Sequence, residues 1–267
     1  MNKPVIAGAA VIVACGLGLW YYLESGGKSG TNTTGSADTS SSAATSPPAE
    51  PAVAHPLPAV PGTVAGAGAA APDIEHSDAE LQAALPAAIG AAAVKDYLEP
   101  EDMIRRIVVT VDNIPRQKIP VDHRPVRKVG GLFHAEGDEL HATLDERNYA
   151  RYQPYVAVIR NLDVTALMRI YVRVYPLLQH AYQDLGYPKG YFNDRLVEAT
   201  DVLLAAPQVT GPIDLVRPNV MYEFADPALE ARPAGQKLMI RMGPDNAAAV
   251  KAKLTELRAA LTAAPPH

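Results

Sequence analysis

DVTALMRIYVRVYPLLQHAYQDLG (residues 163–186) contains the clearest secondary-structure signal in the sequence. Asp163 has the side chain of a helix N-cap, and Gly186 can adopt the left-handed backbone conformation that ends a helix. Between them, polar residues return at helical spacing in one narrow stripe, and apolar side chains occupy the rest of the circumference. A helix that is apolar around most of its girth is buried among other helices. The stretch therefore predicts a mainly α fold, a helical bundle with this helix at its centre.

The turn after this helix, GYPKGYFNDR (residues 186–195), leads to a second helix. Pro188 prevents the first helix from continuing, and Gly190 can serve as the next N-cap. Apolar residues then recur at helical spacing from Phe192 to Leu203. A connection of this length is typical of two antiparallel helices, so we interpret the turn as a helix–helix joint.

A polar strip runs along both helices of this pair. In an antiparallel arrangement the carboxylates of the second helix would pass the cations of the first, which predicts an interhelical ion-pair ladder. The functional alternative is a carboxylate pair for acid–base chemistry or a metal site. The strip consists of Arg169, Arg173, His180, Asp194, Glu198 and Asp201.

Weaker signals indicate two further helices. Pro100 suits the first turn of a helix over the apolar stripe of residues 104–111, although this stripe also resembles a strand. Thr143 and Glu146 have the spacing of a capping box ahead of a tyrosine-rich helix.

Two more elements are predicted near the end of the chain. Residues 213–224 are strand-like, and they suggest a small β-hairpin that turns at Pro218 and Asn219. Gly243 and Pro244 then begin a last helix, whose apolar positions repeat at helical spacing. The predicted fold is therefore a helical bundle with a possible small β-hairpin.

An uncharged apolar run occupies residues 4–23. As a helix, a run of this length spans about 30 Å, the thickness of the hydrocarbon core of a bilayer. Lys3 precedes it and few charges follow, so the positive-inside bias places residues 1–3 in the cytoplasm and exports the rest. The bulky residues 20–23 argue against signal-peptide cleavage. Lipidation at Cys15, at the end of a lipobox-like sequence, is the alternative to an uncleaved anchor.

Residues 24–72 are rich in Ser, Thr, Gly, Ala and Pro and hold almost no large apolar side chains. Such a composition cannot bury enough apolar surface to fold, which predicts a disordered linker. Residues 73–263 contain the periodic apolar segments and are numerous enough for one domain with its own core. The predicted organisation is a cytoplasmic stub, a transmembrane anchor in the inner membrane, a linker and a periplasmic helical domain.

Several long segments of the domain resemble those of one bacterial family. They are EPEDMIRRIVVTVDNIPR (99–116), NYARYQPYV (148–156), YPLLQHAYQDLGYP (175–188), GYPKGYFNDRLVEATDVLLAAP (186–207) and GQKLMIRMGPDN (235–246). In these segments the chain is similar to the family of domain of unknown function 3014. The resemblance covers most of residues 73–261. It implies a membrane-anchored protein of Gram-negative bacteria, and it brings no catalytic residues or mechanism with it.

Composition argues against several reaction classes. Ser77 is the only serine after residue 72, and no cysteine follows that point, so a serine or cysteine nucleophile has almost no candidate. The chain contains neither a Walker loop nor a GxGxxG turn, and no cofactor is expected. A net charge of −5 is too small to indicate nucleic acid as a partner.

The segment between two predicted helices, residues 113–142, is long for a connection inside a compact domain. It holds His134, Glu136, Asp138 and His141 close together, but without the paired spacing of a metal site, so no metal is expected. It also carries five cations. They suit an anion-binding surface for lipid headgroups or an acidic partner, and the alternative is a solvated loop. These cations are Arg116, Lys118, Arg124, Arg127 and Lys128.

Tyrosine is concentrated in the middle of the domain. Eight of the ten tyrosines after residue 72 lie between residues 149 and 191. A tyrosine ring packs its apolar body and keeps its hydroxyl wet, which suits a binding groove or semi-buried packing around the central helix. The candidate groove consists of Tyr149, Tyr152, Tyr187 and Tyr191.

Together these patterns favour a non-enzymatic interaction or scaffold protein of the cell envelope. It would be bound to the inner membrane by residues 4–23 and have a protein or envelope-polymer partner. The first alternative is a hydrolase of a cell-wall polymer that uses Asp194 and Glu198. The second alternative is a transmembrane regulator in which residues 236–261 form a cytoplasmic helix-turn-helix.

Overall fold

The structure is a computed structural model that describes residues 53–59, 77–138, 141–218 and 221–263. Within these ranges the protein is mainly helical and has a small antiparallel sheet. The helices are α1 (Ser77–Ala84), α2 (Pro86–Tyr97), α3 (Met103–Asn113), α4 (Arg147–Arg160), α5 (Val164–Asp184), α6 (Phe192–Leu204), α7 (Pro227–Glu230), α8 (Ala234–Arg241) and α9 (Pro244–Leu261). The strands are β1 (Ala135–Gly137), β2 (Ala142–Leu144), β3 (Asp214–Val216) and β4 (Glu223–Phe224).

The central helix α5 forms as the sequence predicts. The Asp163 carboxylate accepts a hydrogen bond from the main-chain N–H of Ala166 at 2.8 Å, so Asp163 is the N-cap. Gly186, just past the helix end, has a φ of 103°, which suits glycine. Twelve residues of α5 are buried, and the helix packs against α2, α3, α6 and α9. It therefore lies in the middle of the helical core.

The apolar stripe that also resembled a strand forms helix α3, but the helix begins later than predicted. Pro100 lies outside it, and Asp102 is its N-cap, with a φ of 57°. The carboxylate of Asp78, in α1, accepts hydrogen bonds from the main-chain N–H groups of Asp102 at 2.6 Å and Met103 at 2.8 Å. Amides at a helix start have no helical partner, so a carboxylate beside them stabilises that start. A side chain from another helix thus sets where α3 begins.

Helices α6 and α9 are also present. Tyr191 is the N-cap of α6, one residue after the predicted Gly190. Helix α9 begins at Pro244, and its apolar positions from Val250 to Leu261 are buried against α4, α5, α6 and α8. The helical core is therefore closed by the last helix of the chain.

The sheet is larger than the predicted hairpin. Strands β3 and β4 pair as predicted, with Leu215 opposite Phe224, whereas β1 and β2 are additional. The four strands follow the order β1-β2-β3-β4. Thr143 lies in β2 opposite Asp214, so the predicted capping box is wrong. Pairing with a distant strand takes up Thr143, and α4 begins only at Arg147.

Helix α8 is enclosed along its whole length. All eight of its residues are buried, including Lys237 and Arg241. The Lys237 ammonium donates to the Glu230 carboxylate at 2.7 Å. The Arg241 guanidinium donates to the main-chain oxygen of Tyr222 at 2.9 Å and lies over the Phe224 ring. Burial lowers the pKa of Lys237, against the opposing effect of Glu230. Buried polar contacts therefore join α8 to the sheet.

No helix in the described part of the chain is both long and apolar enough to span a membrane. The predicted anchor at residues 4–23 lies outside the described residues, as does most of the predicted linker. Residues 53–59 (VAHPLPA) of that linker are described, and Leu57 packs against the helical core. We refer to residues 53–59 as the strap.

Candidate functional site

The joint between α5 and α6 is held by hydrogen bonds and ring contacts. The Gln179 side chain donates to the main-chain oxygen of Gly190 at 2.7 Å and accepts from the N–H of Phe192 at 2.8 Å. The rings of Tyr182 and Tyr187 stack with centroids 4.7 Å apart. A Cβ on Gly190 would lie 2.8 Å from the Tyr182 ring, so a larger residue would displace this packing. The predicted joint is confirmed.

Asn193 lies in the first turn of α6 and is fully buried. Its side-chain oxygen accepts a hydrogen bond from the Tyr171 hydroxyl at 2.8 Å. Its side-chain nitrogen donates to the main-chain oxygens of Leu261 at 3.3 Å and His55 at 2.9 Å. Burial raises the pKa of Tyr171 well above its ordinary value, so the hydroxyl keeps the proton that it donates. One amide thus connects α5, the end of α9 and the strap.

The strap lies against the N-terminal end of α6 and is held there by its main chain. The Asp194 carboxylate accepts hydrogen bonds from the N–H groups of Ala54 at 3.1 Å and His55 at 2.6 Å. The Tyr191 hydroxyl accepts from the N–H of Leu57 at 3.0 Å. With the bond to the His55 carbonyl, four hydrogen bonds hold the strap backbone. Because every peptide has these backbone groups, the contacts recognise a chain conformation more than particular side chains.

Two side chains add apolar contact between the strap and the domain. Leu57 packs on the helical core, and Pro58 is buried. Pro56 and Pro58 fix their own φ and restrict the residue that precedes each of them. A chain restricted in this way loses less conformational entropy when it is ordered. The strap therefore combines a restricted backbone with a leucine anchor.

A polar cluster adjoins the strap and surrounds an open depression of about 310 Å³. Asp112, on α3, is 6% exposed. Its two carboxylate oxygens accept from Arg195 Nε at 3.1 Å and from Arg116 Nη2 at 2.8 Å. Arg195 also donates to Glu198 at 2.6 Å, and Arg116 donates to the Tyr187 hydroxyl. A nearly buried carboxylate between two guanidinium groups thus joins α3 to α6.

The charges of this cluster are paired with one another. Burial works against the charge on Arg195, but the hydrogen bond with Glu198 and the charge of Asp112 outweigh it, so the pKa of Arg195 is raised. Tyr191 and Asp194 line the depression and also bind the strap, so the two features form one continuous surface.

The predicted ion-pair ladder between α5 and α6 is not what the structure shows. The faces that α5 and α6 bury are mostly apolar, so their charged side chains reach other elements or residues of their own helix. Of the predicted strip, Asp194 binds the strap and Arg169 is exposed. The ion pairs are Arg173–Glu80, His180–Asp184, Glu198–Arg195 and Asp201–Arg258.

The four tyrosines of the predicted groove lie in three places. Tyr187 and Tyr191 line the depression. Tyr152 is 3% exposed inside the helical core. Tyr149 packs beside the core of the sheet, and Gly243 lies against its ring. Only Tyr187 and Tyr191, at the joint, share a surface. Tyr149 and Tyr152 belong to α4, which lies in a different part of the domain.

The predicted anion-binding cations are divided in the same way. Arg124 is buried, and burial lowers its pKa to about 10. Arg127 donates to a main-chain oxygen just after α2 at 3.1 Å, and Arg116 belongs to the polar cluster. Lys118 and Lys128 are exposed. Three of the five cations therefore make contacts within the domain.

The His/Asp/Glu group between residues 134 and 141 is part of a hairpin. His134 exchanges two main-chain hydrogen bonds with the Asn148 side chain, at 3.1 and 2.6 Å. Asp138 accepts from the N–H of His141 at 2.9 Å, and Glu136 lies in β1. Among the described residues, no group of three or more His, Cys, Asp or Glu side chains is placed to hold a metal ion.

Sequence reasoning missed the roles of Asp112, Asn193 and the strap. A charged residue directly after the buried stripe of α3 is a signal for Asp112, because a buried carboxylate needs a partner. The closely spaced Pro56 and Pro58 are a signal for the strap, since they restrict the chain within an otherwise permissive sequence. No local pattern distinguishes Asn193 from an ordinary residue in the first turn of a helix.

Comparison with known proteins identifies the family of the chain. The model of the family described as protein of unknown function (DUF3014) matches residues 103–258. This range runs from α3 into α9 and contains Asp112, the joint and Asn193, whereas the strap precedes it. No curated protein and no solved structure matches the chain. Since the matched range is more than half of the 267 residues, the chain belongs to the DUF3014 family.

Proposed function

We propose that the protein is a single-pass inner-membrane protein whose periplasmic helical domain is a non-enzymatic interaction or scaffold module of the cell envelope. Residues 4–23 are the proposed anchor, and residues 24–72 are the proposed linker. The uncharged length of the first segment and the preceding Lys3 support this orientation. The sparse large apolar residues of the second support a tether.

One observation carries the binding function, namely that the joint already holds a chain segment. Tyr191, Asn193 and Asp194 take up three N–H groups and one carbonyl of the strap. Main-chain groups that leave water need a partner, and this surface supplies partners to a segment that is neither helix nor strand. A surface with this property suits a protein partner that presents an exposed chain segment.

A hydrolase that uses Asp194 and Glu198 has less support. Hydrolysis of a glycosidic bond needs two carboxyl groups that flank one substrate space, and one of them must donate a proton. Here two main-chain N–H groups occupy Asp194, and Arg195 binds Glu198. A substrate would have to displace both sets of contacts.

A helix-turn-helix regulator also has less support. The two helices in question are α8 and α9, and α8 is buried along its whole length. Recognition requires an exposed helix that presents side chains to a groove and a basic surface. The exposed side chains in the first half of α9 include Asp245 and Ala248, which do not form such a surface.

Two C-terminal fusions to the full-length chain test the proposed orientation. Alkaline phosphatase activity without fluorescence of a green fluorescent protein fusion is the expected result, because the first folds in the periplasm and the second in the cytoplasm. Fluorescence without phosphatase activity would overturn the orientation and favour the regulator.

Crosslinking in cells tests the binding surface. A photo-crosslinking residue in place of Tyr187, on the depression, should form an adduct that disappears in the Asp194→Ala variant and persists in Asp245→Asn, a change at an exposed residue of α9 that does not line the depression. The same residue in place of Val216, which is exposed on the sheet, is the matched control. Equal adducts from both positions, insensitive to Asp194→Ala, would contradict a specific surface at the joint.

A further inference from the structure

We infer that the joint is a binding site for a peptide supplied by a partner protein, and that the strap is its intramolecular competitor. The inference rests on the proposed function, because it names the partner class of the same surface. The partner segment would present N–H groups at positions i, i+1 and i+3 and a carbonyl at i+1, as residues 54–57 do. It would carry leucine at i+3 between prolines at i+2 and i+4.

Two of the three side chains that hold the strap are fixed by the rest of the domain. Asn193 is oriented by Tyr171 and Leu261, which belong to α5 and α9. The Tyr191 ring packs against Tyr175, with centroids 5.7 Å apart. These contacts do not involve the strap. The site therefore remains in place when the strap leaves, and a preorganised site of this kind loses little entropy on binding.

The strap does not fill the surface that it shares. No strap residue lines the depression of about 310 Å³, although Tyr191 and Asp194 border both. Tyr187, Arg116 and Glu198 surround the depression and remain accessible beside the strap. A partner segment that follows the strap path and continues into the depression gains contacts that the strap lacks. This difference in contacts allows a partner to displace a segment that is always nearby.

The advantage of the strap is its covalent connection. Residues 60–76 join it to α1, so it is never far from the site. A tethered segment of this kind has an effective concentration on the order of millimolar. A free peptide with the same contacts must reach a similar concentration to compete. Weakening the contacts of the strap should therefore raise the apparent affinity of the joint for a free peptide toward its intrinsic value.

A peptide-binding measurement on the full-length protein in detergent micelles tests this inference. The probe is a fluorescently labelled synthetic peptide with the sequence of residues 50–62, and the readout is fluorescence anisotropy. Leu57→Asp in the protein removes the leucine anchor of the strap and leaves the joint unchanged. We expect the apparent affinity to rise about tenfold over wild type, because the tethered competitor is lost.

Matched controls separate specific from non-specific binding. The additional Asp194→Ala change should abolish binding, since it removes the acceptor of two main-chain N–H groups. A second peptide with proline at the position of His55 and aspartate at that of Leu57 should not bind. If Leu57→Asp impairs folding, judged by circular dichroism, His55→Pro is the second strap variant, because it deletes one N–H donor at the surface.

Three outcomes would overturn the inference. Equal affinity in wild type and both strap variants would show that the strap does not compete, and no binding to the variants would show that the joint is not a peptide site. A wild-type dimer that dissociates in Leu57→Asp would show exchange of straps between copies in place of a partner peptide. If the Tyr187 adduct and the periplasmic location persist in any of these cases, only this inference fails, and the proposed function stands.

Discussion

The side-chain amide of Asn193 donates a hydrogen bond to the main-chain oxygen of His55 at 2.9 Å, although 138 residues separate the two in sequence. The same amide bonds to Tyr171 and Leu261, so one buried side chain links the strap to the central helix α5 and the last helix α9. Binding at the joint and stability of the domain are therefore coupled through Asn193.

Asn193→Ala should destabilise the domain by about 1–3 kcal/mol, because it leaves the buried Tyr171 hydroxyl without its acceptor. Urea unfolding of the full-length protein in micelles, followed by circular dichroism, measures this change. Asn161→Ala is the control, since that amide is exposed and donates to the main-chain oxygen of Ala157 in the preceding turn. Equal unfolding midpoints for the two variants would contradict the role given to Asn193.

Asp112→Asn should lower the free energy of unfolding by about 2–3 kcal/mol. The Arg195 side chain is only 15% exposed, and without the carboxylate its charge has less compensation. Glu198→Gln should lower it by less, about 0.5 kcal/mol, since the Glu198 side chain is 55% exposed and the glutamine amide oxygen can still accept from Arg195. The same urea titration compares them. Equal losses of unfolding free energy in the two variants would contradict the central position of Asp112 in the cluster. Loss of a cell-wall hydrolase activity in a folded Glu198→Gln protein would favour the hydrolase.

Alkaline pH should destabilise the domain through its buried tyrosines. Burial raises the pKa of Tyr171 well above 10 and also raises that of Tyr175, whereas in the unfolded chain each titrates near its ordinary value. Above about pH 10 the folded state binds more protons than the unfolded state, so stability falls as pH rises. Below that pH both states hold the proton, and no effect from these groups is expected.

Tyr171→Phe isolates this effect. The variant loses a hydrogen bond at every pH, but its stability should fall less steeply above pH 10, by up to about 1.4 kcal/mol per pH unit. Urea midpoints between pH 8 and 11 give the two slopes, and other titrating groups are common to both proteins. Parallel slopes would show that Tyr171 is not the group responsible.

Three glycine substitutions should form a graded series. Gly243→Ala should lower the free energy of unfolding by more than about 2 kcal/mol, because φ is 87° and a Cβ would lie 2.6 Å from the Tyr149 ring. Gly186→Ala should cost about 1 kcal/mol, since φ is 103° but the space is open. Gly130→Ala has neither constraint. Thermal midpoints in the order Gly130, Gly186, Gly243, from highest to lowest, are expected, and a different order would contradict this packing.

Sequence periodicity and turn residues correctly predicted the helices and turns whose formation depends on residues a few positions apart. The central helix, with its cap at Asp163, and the last helix from Pro244 were correct, because an apolar face and a start signal lie within one segment. The hairpin of β3 and β4 and the joint after Gly186 follow from turn chemistry and were also correct. Family membership was visible in the sequence for a related reason, since several long segments match in order.

Contacts between distant segments could not be predicted in this way. Asp78 sets the start of α3, and Thr143 pairs with Asp214 in the sheet. The ion pair of Asp112 with Arg195 likewise joins separate helices. The local pattern around each of these residues was compatible with another structure, which explains the misplaced helix start, the wrong capping box and the wrong ladder.

The helical class of the domain, the position of the central helix and the nature of the joint follow from the sequence alone, because a helix and its caps depend on residues a few positions apart. Three features became visible only in the folded domain: Asn193 and Asp194 hold the strap, Asp112 is nearly buried between two arginines, and the predicted groove is divided. These features depend on which surfaces meet when the core closes, and that choice minimises exposed apolar area and unpaired charge over the whole domain.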